Sequence, residues 1–228
     1  MCAITRSERV LVCTLLVWCI TARAATAQAG WFAGGIAGIS TLSADAASVI
    51  SSDAAAVSMY KPQNGPALNL FFGVHLHTYI TVQANYVWNR NDLTLVSADI
   101  VDDRPSFYEQ HRNSSQHALV GDLLLYFRER RSRVRPYLSA GVGMVRFQSQ
   151  VDGSALVRRA VPPVPTFEST RATLRVAVGM DVRLGGGWRL RYSFSESLSG
   201  NPISSHLSPP APRGLANFQN LWGVLREL

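Results

Sequence analysis

Across residues 78–88 apolar and polar side chains alternate. Ile80, Val82, Ala84, Tyr86 and Trp88 fall on one parity, and Thr81, Gln83 and Asn85 on the other. A period of two describes a strand with one apolar and one polar face. The pattern returns across 172–182, where Ala172, Leu174, Val176, Val178, Met180 and Val182 oppose Thr173, Arg175, Ala177, Gly179 and Asp181. Two architectures fit such strands: a soluble sheet with its apolar face inward, or a barrel in lipid with its apolar face outward.

The alternation predicts eight strands, over 30–42, 67–76, 78–89, 116–127, 135–148, 171–184, 188–196 and 217–228. No segment shows sustained helical spacing, although the Ala/Ser-rich stretch 44–57 could form a short helix. The connections alternate in kind. Short turns are expected at 75–77, near Arg131 and at Gly185-Gly186-Gly187, and long Ser-, Asn-, Asp- and Pro-rich loops at 43–66, 90–115, 149–170 and 198–216. Short turns at one end and long loops at the other are the pattern of an outer-membrane barrel, short on the periplasmic side and long outside. The composition of the long loops is compatible with partial disorder.

The start of the chain agrees with export. Arg6 and Arg9 precede a short apolar stretch, 10–22, and small-residue cleavage sites end at Ala27 and Ala29. Residues 1–29 therefore read as a signal peptide and 30–228 as one barrel domain. The competing reading of 1–29 as an uncleaved anchor is opposed by the shortness of the apolar stretch. Cys2, Cys13 and Cys19 all lie in this segment, so the mature chain has no disulfide and no Cys metal site. Trp18, directly before Cys19, fits lipid attachment poorly. The formal charge is +7. Export argues against nucleic acid as the reason, and the one basic cluster, 128–135, reads as a solvated turn or as a contact for phosphate head groups.

In a membrane barrel the charged residues at polar-parity positions, Asp122, Arg175, Asp181, Arg189 and Arg191, must point inward and pair, because a charge in lipid is costly. Arg226 breaks the parity beside Val224 and Leu228, and being near the chain end it would snorkel to the interface. Trp88, Trp188, Tyr126 and Tyr137 fall near strand ends, where aromatic girdles are expected.

Four segments resemble the small eight-stranded outer-membrane proteins, of the outer-membrane protein A transmembrane-domain and opacity-protein type. They are the opening Gly30-Trp31-Phe32-Ala33-Gly34-Gly35, then Pro136-Tyr137-Leu138-Ser139-Ala140-Gly141-Val142-Gly143, then Val176-Ala177-Val178-Gly179-Met180-Asp181-Val182, and the terminal Asn220-Leu221-Trp222-Gly223-Val224-Leu225. The likeness covers the whole mature chain, with each motif short and degenerate. It implies an all-β fold, an eight-stranded antiparallel up-and-down transmembrane β-barrel with short periplasmic turns and long external loops. It further implies the outer membrane of a Gram-negative-type bacterium, both termini periplasmic, and insertion by the barrel-assembly machinery. Leu228 departs from the aromatic residue that usually ends such chains, which weakens the insertion signal.

Chemistry is sparse. His206-Leu207-Ser208 has the spacing of a lipid A deacylase pair, with Glu196 the nearest upstream acid, but the pair lies in an expected loop before Pro209-Pro210. His75 and His77 flank a turn and could hold a metal only weakly. The glycine run 185–187 has no following helix and reads as a hairpin turn rather than a nucleotide site. The expectation is thus a non-enzymatic barrel with no catalytic, cofactor-binding or metal site. Its partners would be outer-membrane lipid or lipopolysaccharide and an extracellular loop partner that the sequence leaves unnamed. The alternatives are a secreted lipocalin-like barrel holding a small apolar ligand, and a lipid A-modifying enzyme.

Overall fold

The computed structural model describes residues 30–50, 55–101, 104–153, 155–203, 206–210 and 214–228; the expected signal peptide lies outside them. Among the described residues eleven strands follow one another along the chain. They are β1 (Trp31–Leu42), β2 (Asp45–Ile50), β3 (Ala55–Pro62), β4 (Gly65–His75), β5 (Ile80–Val101) and β6 (Arg104–Tyr126). After these come β7 (Val134–Val151), β8 (Leu156–Arg158), β9 (Thr166–Gly185), β10 (Trp188–Gly200) and β11 (Gly214–Glu227).

Eight of them, β1, β4, β5, β6, β7, β9, β10 and β11, form an antiparallel ring that closes through β1 and β11. Closure pairs both edges of every ring strand, which a sheet in lipid requires. Register partners traced round the ring from Leu198 lead through Leu174, Val142, Gly121, Ala84, Phe72, Ala33 and Arg226 to Trp188. The path returns to β10 ten residues from its start. With a rise of about 3.3 Å per residue and about 4.8 Å between strands, that stagger gives a tilt of about 40° and a radius of about 8 Å. Such an interior is just filled by side chains.

The parity read from sequence holds round the ring. Thr81, Gln83, Asn85, Asp122, Arg175, Asp181, Arg189 and Arg191 are buried inside, while Val82, Leu123, Leu138, Val142, Val176 and Phe194 are exposed on the outer surface. The belt runs from Trp188 to Leu198 along β10, about 25 Å at this tilt, the height of an outer-membrane apolar band. A continuous apolar belt of this size does not belong in water. The lipocalin-like alternative, which needs these residues to point inward, is excluded by their direction.

Three expectations are corrected. The long connections are not simple loops: β2 and β3 form a hairpin in place of the short helix that the composition of 44–57 allows, and β3 adds to the upper part of β5. The β5–β6 hairpin continues paired to Val101 and Arg104, well above the belt. Tyr126 and Tyr137 are not girdle residues. They are 2% and 3% exposed and point into the lumen, where they pack with Leu124. Inside, Tyr126 gains a hydrogen bond to Asp181 that lipid could not supply. Trp31 and Trp188 do face outward at the short-turn end, and Arg226 lies 5.6 Å over the Trp188 ring, outside as its parity required.

Packing inside the ring changes along its axis. At the short-turn end Phe32, Ile36, Phe71, Leu221 and Leu225 form an apolar floor. Gly73 and Gly179 leave room for the Phe32 and Tyr137 rings, since a Cβ at Gly179 would sit 2.5 Å from Tyr137 Cζ. At the opposite end Leu42, Tyr60, Leu93, Leu95, Tyr108, Phe147 and Leu215 surround Ile203 and Leu207 from the β10–β11 connection.

Candidate functional site

The lumen between these two apolar ends is crossed by ion pairs. Arg191 on β10 donates from Nε to Asp181 Oδ1 at 2.6 Å and from Nη2 to Oδ2 at 2.8 Å. It also donates from Nη1 to Gln83 Oε1 on the facing wall at 2.6 Å. Tyr126 donates to Asp181 Oδ2 at 2.8 Å, and Arg135 lies 3.7 Å over the Tyr126 ring. One step higher, Arg175 Nη1 donates to Asp122 Oδ2 at 2.5 Å. Amides fill the next layer: Asn69 donates to Asn85, Asn89 to Asn91, and Asn217 to Asn89 and Gln116. Buried charges are tolerable only when paired and hydrogen-bonded. Here Arg191 and Asp181 join neighbouring strands, Arg175 on β9 reaches past β7 to Asp122 on β6, and Gln83 ties the far wall to Arg191, so the lumen is bridged from side to side.

Above the belt the chain builds an extension that sequence reasoning missed. Residues of one parity in β5 stay inward, but their character changes: Thr81, Gln83, Asn85 and Asn89 are followed by the buried Leu93 and Leu95. At Leu93 and Leu95 the inward positions turn apolar, before Ser97 restores a polar one, as the outside changes from lipid to water. That inversion was legible in residues 89–95. Arg112 pins the extension, donating to Ser149 Oγ at 2.9 Å, Gln110 Oε1 at 2.7 Å and the carbonyl oxygen of Val164 at 2.9 Å. Ser58 Oγ donates to the Pro209 carbonyl oxygen at 2.5 Å and Ser97 Oγ to that of Ser208, which draws the β10–β11 connection into the mouth.

Among the groups here with shifted acidities are Tyr60 and Glu168. Burial, reinforced by the Asp45 charge, pushes the Tyr60 phenol well above its ordinary value of 10. On the outer surface Glu168 accepts hydrogen bonds from Arg146 at 2.7 Å and Gln148 at 3.0 Å, which lower its carboxyl below the usual range.

The structure does not assemble the deacylase-like residues. His206 is exposed and stacks edge-on against Phe167, and Ser208 uses its carbonyl oxygen toward Ser97. Glu196 sits on the lipid-facing parity of β10, between Val176 and Phe218 in register. Among the described residues no hydrogen bond joins the three. His75 and His77 part company as well. His75 points inward, with Nδ1 2.6 Å from Thr81 Oγ1, and His77 packs on Tyr79 at the surface.

Closure, stagger, an outward apolar belt and a charge-paired lumen together describe a small membrane barrel. A sequence profile of the outer membrane protein beta-barrel domain matches residues 10–207. The chain belongs to that family. Among solved structures it is similar to the outer membrane protein OprG from Pseudomonas aeruginosa, with a TM-score of 0.51 and 12% identity, covering 88% of this chain and 95% of that one. It is also similar to neisserial surface protein A, with a TM-score of 0.47 and 13% identity over 87% of this chain and 97% of that one. A further similar structure is Ail, the attachment invasion locus protein of Yersinia pestis, solved with the heparin analogue sucrose octasulfate. There the TM-score is 0.43 and the identity 9%, over 87% of this chain and 99% of that one. At these identities the likeness concerns fold. No curated protein sequence matches the chain.

Proposed function

We propose that the chain is a non-enzymatic outer-membrane barrel that acts as a sealed anchor and presents its β5–β6 extension outside the cell as an interaction surface. The observation that carries this reading is the bridged lumen. Arg191, Asp181, Tyr126 and Gln83 link opposite walls, and Ile203 and Leu207 close the mouth above them. A barrel whose interior is occupied in this way supports binding at its outer end rather than passage through its centre. In the proposed orientation the short turns and both termini are periplasmic; Leu228 N–H bonds to the Trp31 carbonyl oxygen at 2.9 Å, so the two ends of the barrel domain lie together. Insertion would follow the barrel-assembly route. Arg90 and Arg146, exposed just above the belt, are placed for contact with lipid or lipopolysaccharide phosphates at the outer face.

Trypsin treatment of intact cells, followed by conductance recording of the purified protein in planar bilayers, tests both parts. Cleavage at Arg158 or Arg159 without cleavage at 128–133, together with the absence of stepwise conductance, is the expected result. External cleavage in the 128–133 turn reverses the orientation, and regular conductance steps refute the sealed lumen.

A further inference from the structure

The basic cluster of the β6–β7 turn is not a uniformly solvated loop. At the short-turn end Arg130 and Arg131 from that turn, Arg183 from β9, Arg189 from β10, the glycine turn 185–187 and Trp188 enclose a cleft of about 380 Å³. Four guanidinium groups line it against one carboxylate, Glu227. That carboxylate is already engaged: it accepts from Arg189 Nε at 2.9 Å and lies 3.9 Å from His75 Nε2. Glu129 is the one acid of the β6–β7 turn, so positive charge predominates at this rim.

A second observation is independent of the charge count. The Arg189 side chain is 4% exposed, and its Nη2 donates to the Arg130 carbonyl oxygen at 2.7 Å. Among the described residues its Nη1 has no hydrogen-bond partner. A buried cationic donor left unsatisfied is costly unless an acceptor is supplied. The glycine turn keeps the entrance clear. Gly185, Gly186 and Gly187 all have positive φ, at 114°, 58° and 80°, which side-chain-bearing residues rarely adopt, so the turn itself carries no side chain over this edge.

The position of the cleft narrows the ligand. Trp188 lines it and also faces lipid at the base of the apolar belt, with Arg226 over its ring. The cleft therefore sits where lipid phosphates meet the barrel, and acyl chains attached to such a phosphate could continue along the belt. We propose that this cleft binds the phosphate group of an anionic phospholipid, in the inner leaflet for the orientation given above. The guanidinium groups supply the planar, multiply donating recognition that phosphate favours.

The test uses the full chain purified in a neutral detergent, with folding checked by its heat-dependent electrophoretic mobility. Dioctanoyl phosphatidylglycerol, dioctanoyl phosphatidylcholine and inorganic phosphate are each titrated by calorimetry into the parent protein and into an Arg131→Gln/Arg183→Gln variant. Both substituted residues are exposed, and the single Arg131→Gln variant stands in if the double variant does not fold. The expected result is phosphatidylglycerol binding at least tenfold tighter than phosphatidylcholine, weakened at least tenfold in the variant and by added salt. Phosphate alone binding as tightly as phosphatidylglycerol, and lost in the variant, would overturn the lipid and make the free anion the occupant. Absent binding, or binding unchanged in the variant, overturns the site itself. None of these outcomes depends on which way the barrel is oriented.

Discussion

Arg191 and Asp181 face each other in register across β10 and β9 and are joined by two hydrogen bonds, at 2.6 and 2.8 Å, within a lumen that leaves each of them 1% exposed. The pair is not only a way of hiding charge. Tyr126 and Gln83 attach to it from two other strands, so one guanidinium and one carboxylate hold β5, β6, β9 and β10 at a common level.

Breaking one side of this pair should be worse than replacing both. Asp181→Asn leaves the Arg191 charge buried without its counter-ion, which is expected to cost about 3–5 kcal/mol, whereas Asp181→Leu combined with Arg191→Met removes both charges and should cost far less. Urea titration of the heat-modifiable band in detergent measures the difference. Equal destabilisation of the single and double variants would show that the network, rather than the isolated charge, carries the energy.

Space at Gly179 is bounded by the Tyr137 ring and by the Tyr192 carbonyl oxygen of the neighbouring strand. A Cβ there meets the Tyr192 carbonyl oxygen and, at 2.5 Å, both Tyr137 Cζ and Oη, so Gly179→Ala should destabilise by about 1–3 kcal/mol through overpacking. Adding Tyr137→Leu to Gly179→Ala should recover part of that loss, because the obstructing ring is removed. The same urea titration reads both variants, and a loss unaffected by the second change would place the strain at the Tyr192 carbonyl oxygen instead.

The contrast between β5 and β6 shows what a sequence reveals about such a barrel. In β5 the apolar and polar sets separate cleanly, because lipid demands one and a lumen of hydrogen bonds demands the other, so Ile80 to Trp88 announced both the strand and its faces. In β6 the lumen itself takes apolar residues, Leu124 and Tyr126, beside Asp122. Aromatic character near a strand end then pointed the wrong way for Tyr126 and for Tyr137. Burial in the short-turn floor is decided by ring size against Gly73 and Gly179, a pairing between strands distant in sequence. The charged residues of the lumen were legible by parity, but their partners were not: Arg191 reaches Gln83 across the barrel, and nothing local encodes that contact.

Above the belt, the inward positions of β5 turn apolar at Leu93 and Leu95, and this inversion has a measurable consequence. Leu93 is 1% exposed within the cluster that holds Ile203 and Leu207. Leu93→Ala should cost about 2–5 kcal/mol. The loss should fall on the extension rather than on the lipid-embedded ring, because the two are packed as separate clusters. The measurement is limited proteolysis with chymotrypsin alongside the mobility shift. Faster cleavage near Tyr108 with an unchanged shift is expected, and loss of the shift would show that extension and ring fold as one unit.

Tyr60 ties the same cluster to pH. Burial and the Asp45 charge hold its phenol protonated well above the ordinary value of 10. A group whose acidity is lowered in this way leaves the folded state fully stable below pH about 10, and stability falls as pH rises past it, because only the unfolded chain releases the proton easily. Absorbance at 295 nm, followed to high pH for the parent and for Tyr60→Phe, resolves the contribution of this one phenol. The two titrations should coincide through pH 10, with Tyr60 ionising only as the extension opens at higher pH. A phenol missing from the variant curve at its ordinary midpoint would mean that Tyr60 is reached by water, and that the mouth of the barrel is more open than the packing of Ile203 and Leu207 requires.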